Sequence, residues 1–138
     1  MNQRKVSLIV FYNDKKEILL QNRLGIAKRI ADRGFFGGKI EDGETPEIAI
    51  IRETKEELCF DLIDFKYIGN HKSIVDYHGS DLEVEAFIYI SYIKNLDKFI
   101  LQEGGGMEFF SIENAKKLDM VKNLDNFVLD IVEESLLN

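Results

Sequence analysis

Glu53, Glu56 and Glu57 stand at i, i+3 and i+4, so on a helix their three carboxylates share one surface. Like charges at that spacing repel, each close pair costing about 0.2–0.5 kcal/mol unless a cation sits among them. A divalent ion would reverse the sign. Oxygen-only donors, with small Ala49 leaving room beside them, suit Mg²⁺ or Mn²⁺, whose remaining positions go to water and substrate phosphates. Taken alone, an acidic helix face is ordinary solvation. The stretch in front changes that reading: Gly37-Gly38-Lys39-Ile40-Glu41-Asp42-Gly43-Glu44-Thr45-Pro46 is a glycine-rich loop that runs straight into the helix.

The helix itself is announced by Thr45, a capping residue, and by Pro46, which suits a first turn; the only proline of the chain marks a start rather than a break. Periodicity predicts that Ile48, Ile50, Ile51, Thr54 and Leu58 form the core arc and that Ala49, Glu53, Glu56 and Glu57 form the opposite, acidic one. These residues carry a resemblance. The pattern G-x5-E-x7-R-E-U-x-E-E-x-G-U, with U a bulky aliphatic residue, defines the Nudix (MutT-type) hydrolases, and Gly38, Glu44, Arg52, Glu53, Glu56, Glu57 and Phe60 fall on its register. Thr54 stands where an aliphatic residue is usual, and Phe36 replaces a common proline. Cys59 replaces the glycine that usually ends the helix, which predicts either a left-handed cysteine, costing about 1–2 kcal/mol, or a different helix end.

The resemblance implies the family's α/β/α sandwich, a mixed sheet between helices, and hydrolysis of a phosphoric anhydride in a nucleoside diphosphate-linked substrate. Position by position it implies Glu56 and Glu57 as metal ligands, Glu53 as ligand or base, and Gly38 as a backbone-carbonyl ligand. Glu44 and Arg52 would be supporting members of the catalytic set. Many family members carry a glutamate in a later loop, matched here by Glu103 beside Gly104-Gly105-Gly106, which makes Glu103 a second candidate base. Arg23, at the end of the second strand, matches an arginine that contacts the nucleotide, and Gly37 and Lys39 join it as substrate-binding candidates. The wording of the loop is similar to members that cleave nucleoside triphosphates, oxidised purines included, to monophosphate and pyrophosphate. The alternatives are an ADP-ribose, dinucleotide or sugar-nucleotide hydrolase, or a catalytically silent nucleotide sensor, against which the intact acidic set argues.

Composition bounds the rest. At 138 residues with 45% hydrophobic content, one domain over 1–138 is expected. A net charge of −7, from 25 acids against 18 Lys and Arg, offers no global attraction to a nucleic-acid polymer, whereas a small nucleotide carried with its cation is compatible. Cys59 is the single cysteine, so no intramolecular disulfide forms and no zinc spacing exists; a small buried thiol and a reducing, cytoplasmic setting are expected. The apolar run Val6–Tyr12, broken by Ser7, is too short to span a membrane and lacks a cleavage pattern after it. The chain is expected to act as a monomer or homodimer.

Around the box, Val6–Tyr12 reads as a central strand and Asn13–Lys16 as the turn into a second strand over Glu17–Gln21. The basic segment Asn22–Arg33 reads as a loop. Leu62–Asn70 reads as a strand and His71–Ser80 as a bent strand or loop, with both histidines structural. Asp81–Ile93 enters the sheet interior, Met107–Phe110 is a short strand, and Ser111 caps a short helix through Leu118. Leu124, Phe127, Val128, Ile131, Val132 and Leu136 recur at helical spacing and predict a terminal helix packed on the sheet. Asn123 and Asn126 lie near where some family members read a purine, with capping or solvation preferred for both.

Overall fold

A computed structural model describes residues 1–137 of the chain. Its elements are β1 (Asn2–Tyr12), β2 (Ile18–Asn22), β3 (Arg33–Gly34), β4 (Phe36–Lys39), α1 (Pro46–Leu58), β5 (Lys66–Tyr77), β6 (Ser80–Tyr92), β7 (Gly106–Phe110), α2 (Ile112–Ala115) and α3 (Lys122–Leu137). The strands form one seven-stranded sheet, ordered β3-β2-β1-β6-β5, with β4 added to β1 and β7 to β2. Only β1 and β6 run parallel among the recorded pairs, in register from Asn2↔Leu82 to Tyr12↔Tyr92. That central pair is apolar on both faces, as a strand covered on both sides must be. Leu8 and Val10 enter a core shared with α3, while Ile9 and Phe11 enter a second core shared with α1. Helices therefore cover opposite faces of a mixed sheet, as the expected sandwich requires. Among the described residues no helix is long and apolar enough to cross a membrane.

The local chemistry of the first hairpin follows the sequence. Asn13 Oδ1 accepts the backbone N–H groups of Lys15 and Glu17, closing the turn between β1 and β2. The two strands share one register pair, Tyr12↔Ile18, and then part. From that point β1 gives its edge to β4, Val6 to Ile9 facing Lys39 to Phe36, while β2 pairs with β7 on one side and β3 on the other. The sheet thus opens like a fork beside the glycine loop.

Three expectations change. The strand begun at Leu62 starts at Lys66 instead and continues without a break through His71 to Tyr77. Its irregularity is a bulge at Tyr67/Gly69, and a Cβ at Gly69 would stand 3.0 Å from Ile131 Cδ1 of α3, so the strand bends where the helix lies on it. Ile48 and Ile51 of α1 are 52% and 38% exposed, whereas Ala49 is fully buried. The buried arc runs through Ala49, Ile50, Thr54 and Leu58, and the same arc holds Glu53 and Glu57. Cys59 is exposed, and α1 ends on it in the left-handed conformation with φ 51°, its N–H donating to Lys55 O. The turn keeps the geometry that a glycine would ordinarily supply.

Candidate functional site

The box loop is clamped between β1 and α1, and the two paired glycines show why. A Cβ at Gly37 would stand 2.1 Å from Ser7 O, and Gly37 adopts φ +137°, so a side chain is excluded twice over. A Cβ at Gly38 would stand 2.6 Å from the Glu53 carboxylate. The loop backbone consequently lies directly against the acidic side chains of α1. That helix is fixed at its start by Thr45, whose Oγ1 accepts from Ile48 N–H, and by buried Ser7 of β1, whose hydroxyl donates to Pro46 O at 2.7 Å.

Arg52 ties the loop to the helix. Its Nε and Nη2 grip both oxygens of Glu44 at 2.7 and 2.8 Å, a bidentate pair, while Nη2 also donates to Lys39 O. Its Nη1 reaches Glu53 at 3.0 Å and Glu56 at 3.3 Å. The guanidinium hydrogen bond, joined by the Glu41 N–H, holds the Glu44 carboxyl down at about 2. Arg52 is raised in turn, Glu44 first among its causes. Glu44 and Arg52 thus favour each other's charged form and tie the loop to the helix.

Glu53 and Glu57 are in the opposite condition. Burial pushes the Glu53 carboxyl up, partly offset by Arg52. Burial drives Glu57 further, to about 8, although its Oε1 accepts the Gly37 N–H at 2.8 Å. Glu56 is more open, its side chain 58% exposed. The three helix glutamates share a region but not a single point. Among the described residues no group of three His, Cys, Asp or Glu side chains converges as a cation site.

Glu103 is exposed, in a loop whose backbone is pinned on both sides: Gln102 N–H donates to Glu57 O at the end of α1, and Gly105 N–H donates to Asn22 O at the end of β2. Arg23 does not extend outward. Its Nη2 donates to Phe35 O and its Nε to Gln21 Oε1, and the guanidinium lies so close over Gly34 that a Cβ there would stand 2.3 Å from its Cζ. Lys39 stands exposed at the rim beside Gly38.

A cavity of about 350 Å³ joins these parts. One end is bounded by Gly37, Gly38, Glu57 and Glu103; the other is walled by Leu8, Phe35, Leu82, Val84 and Leu124 from the α3 side of the sheet. Its lining thus combines the Gly37–Gly38 loop and α1 with residues of the α3-side core. Two buried polar residues that line it were not singled out from the sequence. Gln21 is 3% exposed and Asp125 is 5% exposed. Burial pushes the Asp125 carboxyl up to about 6 while its Oδ2 accepts the Val121 N–H. The available signal was positional: Asp125 interrupts the apolar arc of α3 between Leu124 and Val128, and Gln21 ends the apolar run of β2. Asn123, by contrast, donates to Ile74 O, and Asn126 is exposed. His78 Nε2 meets Lys28 O at 2.9 Å, and His71 stacks on Phe127 with ring centroids 3.7 Å apart.

The family model described as NUDIX domain matches residues 1–131. An 8-oxo-dGTP diphosphatase of Escherichia coli (strain K12) is 30% identical over 79 residues, which cover 51% of this chain and 61% of that protein. The match therefore spans less than two thirds of that relative's length. A MutT protein from Methanosarcina mazei Go1 superposes with a TM-score of 0.71 at 20% identity, covering 96% of this chain and 92% of that one. The E. coli dihydroneopterin triphosphate pyrophosphohydrolase gives a TM-score of 0.73 at 18% identity, with 97% of each chain covered. At such identities the structural likeness shows the fold alone.

Proposed function

The chain belongs to the NUDIX family, and from that premise we propose that it hydrolyses a nucleoside triphosphate, with a purine or oxidised purine preferred, to a monophosphate and pyrophosphate in the presence of Mg²⁺ or Mn²⁺. The observation that carries the reading is one cavity whose lining includes both the glycine and glutamate end and apolar walls beside a buried carboxyl, Asp125. The first end suits phosphates and the second a flat heterocycle with a hydrogen-bonding edge. The 8-oxo-dGTP diphosphatase named above supports a nucleoside triphosphate over the other phosphoanhydrides of the family.

The donor set fits a hard divalent ion by its all-oxygen chemistry, while its carboxylates do not yet converge on one point. Glu53 and Glu57 are carboxyls raised by burial, and a positive charge beside them would restore their ionisation. Glu53, Glu56, Glu57 and the Gly38 carbonyl are the groups that would hold it; Glu56 is exposed enough to turn toward it. When bound, the ion would neutralise phosphate oxygens and favour attack by water at phosphorus. The protein's own contribution is placement. Arg52 and Glu44 hold the loop carbonyl of Lys39 and the helix in one rigid unit, and the apolar chamber orients the nucleoside. Glu53 and Glu103 compete for the role of base. Glu53 is tied to Arg52, whereas Glu103 is exposed on a loop that borders the cavity.

Incubation with Mg²⁺ and a panel of nucleotides in ¹⁸O-water tests the proposal. Labelled nucleoside monophosphate plus pyrophosphate supports it. Inert triphosphates beside fast cleavage of ADP-ribose, a dinucleotide or a sugar nucleotide would transfer the chain to that class, and nucleotide binding without turnover would make it a sensor. Glu103→Gln is expected to lower kcat by about 10²-fold if that carboxylate is the base. An unchanged kcat, with Glu53→Gln inactive, would assign the base to the helix.

A further inference from the structure

We propose that Gln21 is a positioning residue that sets Glu103 and Arg23 in register with each other across the cavity; this rests on the hydrolase reading of the same site. Gln21 sits in β2 with both neighbours paired, Gly34 of β3 on one side and Met107 of β7 on the other, so its backbone is fixed. Its side chain is 3% exposed and lines the cavity. Oε1 accepts from Arg23 Nε at 3.4 Å, and Nε2 donates to Glu103 O at 3.2 Å.

A guanidinium only donates and a carbonyl only accepts, so the pair of contacts selects a carboxamide and dictates which way it faces. A hydroxyl is too short to span the two, a carboxylate lacks the donor, and an ammonium lacks the acceptor. Each contact passes into a further one. Arg23 continues to Phe35 O, at the corner that leads from β3 into the box loop. On the other side, the Glu103 carbonyl and the Gly105 N–H are both seated on β2, the first by the Gln21 side chain and the second by Asn22 O. Gly104 lies between them, where a Cβ would stand 2.5 Å from Asn22 O and 3.4 Å from Gln21 Nε2. A loop with three consecutive glycines has little stiffness of its own. Between the backbone bonds of Gln102 and Gly105, the Gln21 contact adds a hold at the residue that carries the carboxylate.

Gln21→Glu and Gln21→Met separate the two contacts. Glu keeps an acceptor for Arg23 but turns an oxygen toward the Glu103 carbonyl; Met keeps the length and removes both bonds. Amide exchange at Gly105, followed by NMR on the protein without nucleotide, reads the loop directly and requires no activity. Both variants are expected to exchange at least about 10-fold faster there, with exchange in β1 and β6 unchanged. In turnover, Gln21→Glu should lower kcat by about 10–100-fold with KM near wild type, whereas Gln21→Met should also raise KM. Combining Gln21→Glu with Glu103→Gln should lower kcat no further than Glu103→Gln alone, because both changes act through one group.

Unchanged Gly105 exchange in Gln21→Glu would overturn the proposal whatever the activity. So would additive losses in the double variant, or a wild-type kcat in Glu103→Gln. If the wild type cleaves no nucleotide, the hydrolase reading fails and takes the positioning role with it, while the exchange result still decides whether Gln21 holds the loop.

Discussion

Glu57→Gln should stabilise the metal-free protein, and by an amount that depends on pH. Glu57 belongs to the buried arc of α1, and burial raises its carboxyl from 4.5 to about 8. A carboxyl whose pKa is higher in the folded than in the unfolded chain holds its proton more tightly when folded. Its stabilising contribution is therefore complete below about pH 4.5 and is lost as pH rises through 8. At ~1.36 kcal/mol per pH unit, this interval corresponds to roughly 4–5 kcal/mol. Glutamine has nearly the same shape, keeps an oxygen for the Gly37 N–H and never ionises. The assay is a series of melts of both proteins in EDTA from pH 4.5 to 8. The gap in unfolding free energy, variant minus wild type, should widen by roughly 3–5 kcal/mol, which for a domain of this size is of order 10 °C in Tm. Adding Mg²⁺ at pH 8 should narrow it, since an ion bound through the carboxylate stabilises only the wild type. A gap that stays constant from pH 5 to 8 in EDTA would refute the reasoning, because it would mean that the buried acid is already compensated. Turnover of Glu57→Gln should fall to a small residue in the same samples, as should that of Glu56→Gln.

The glycine pair offers a contrast between stability and activity. Gly37→Ala must place a Cβ against backbone oxygen at positive φ, so a stability loss of at least ~2 kcal/mol is expected from melts. Gly38→Ala meets first the flexible end of the Glu53 side chain, so it should melt within ~1 kcal/mol of wild type while losing about 10-fold or more in turnover. Equal melting losses in both would contradict the assignment of the two neighbours. Finally, millimolar Mg²⁺ or Mn²⁺ should raise the Tm of the wild type by binding the folded state, and calorimetry showing no binding even with nucleotide present would count against the cation site.

The parts of this fold that were legible in the sequence are those governed by local chemistry or by uninterrupted burial. Thr45 and Pro46 set the start of α1, Asn13 set the first turn, and Ser111 capped α2, its hydroxyl accepting from Asn114 N–H. The run from Val6 to Phe11 announced a strand covered on both faces. What periodicity misjudged was the orientation of α1, and the cause is the site itself. A helix reader assigns isoleucines to the core and glutamates to water. Here the buried arc holds Glu53 and Glu57, and Ile48 and Ile51 are turned outward, because the helix must face its carboxylates toward the loop of Gly37 and Gly38. The same inversion hid Gln21 and Asp125, polar residues inside apolar runs, which a pattern reader counts as noise. Cys59 differs, since its exposed left-handed cap takes the strain of a missing glycine without any visible return. Local rules and global burial agree over most of this chain and conflict at Glu53, Glu57, Gln21 and Asp125. Burying such groups costs stability that only a ligand, a cation or a partner dipole can return, and three of the four, Glu57, Gln21 and Asp125, line the cavity.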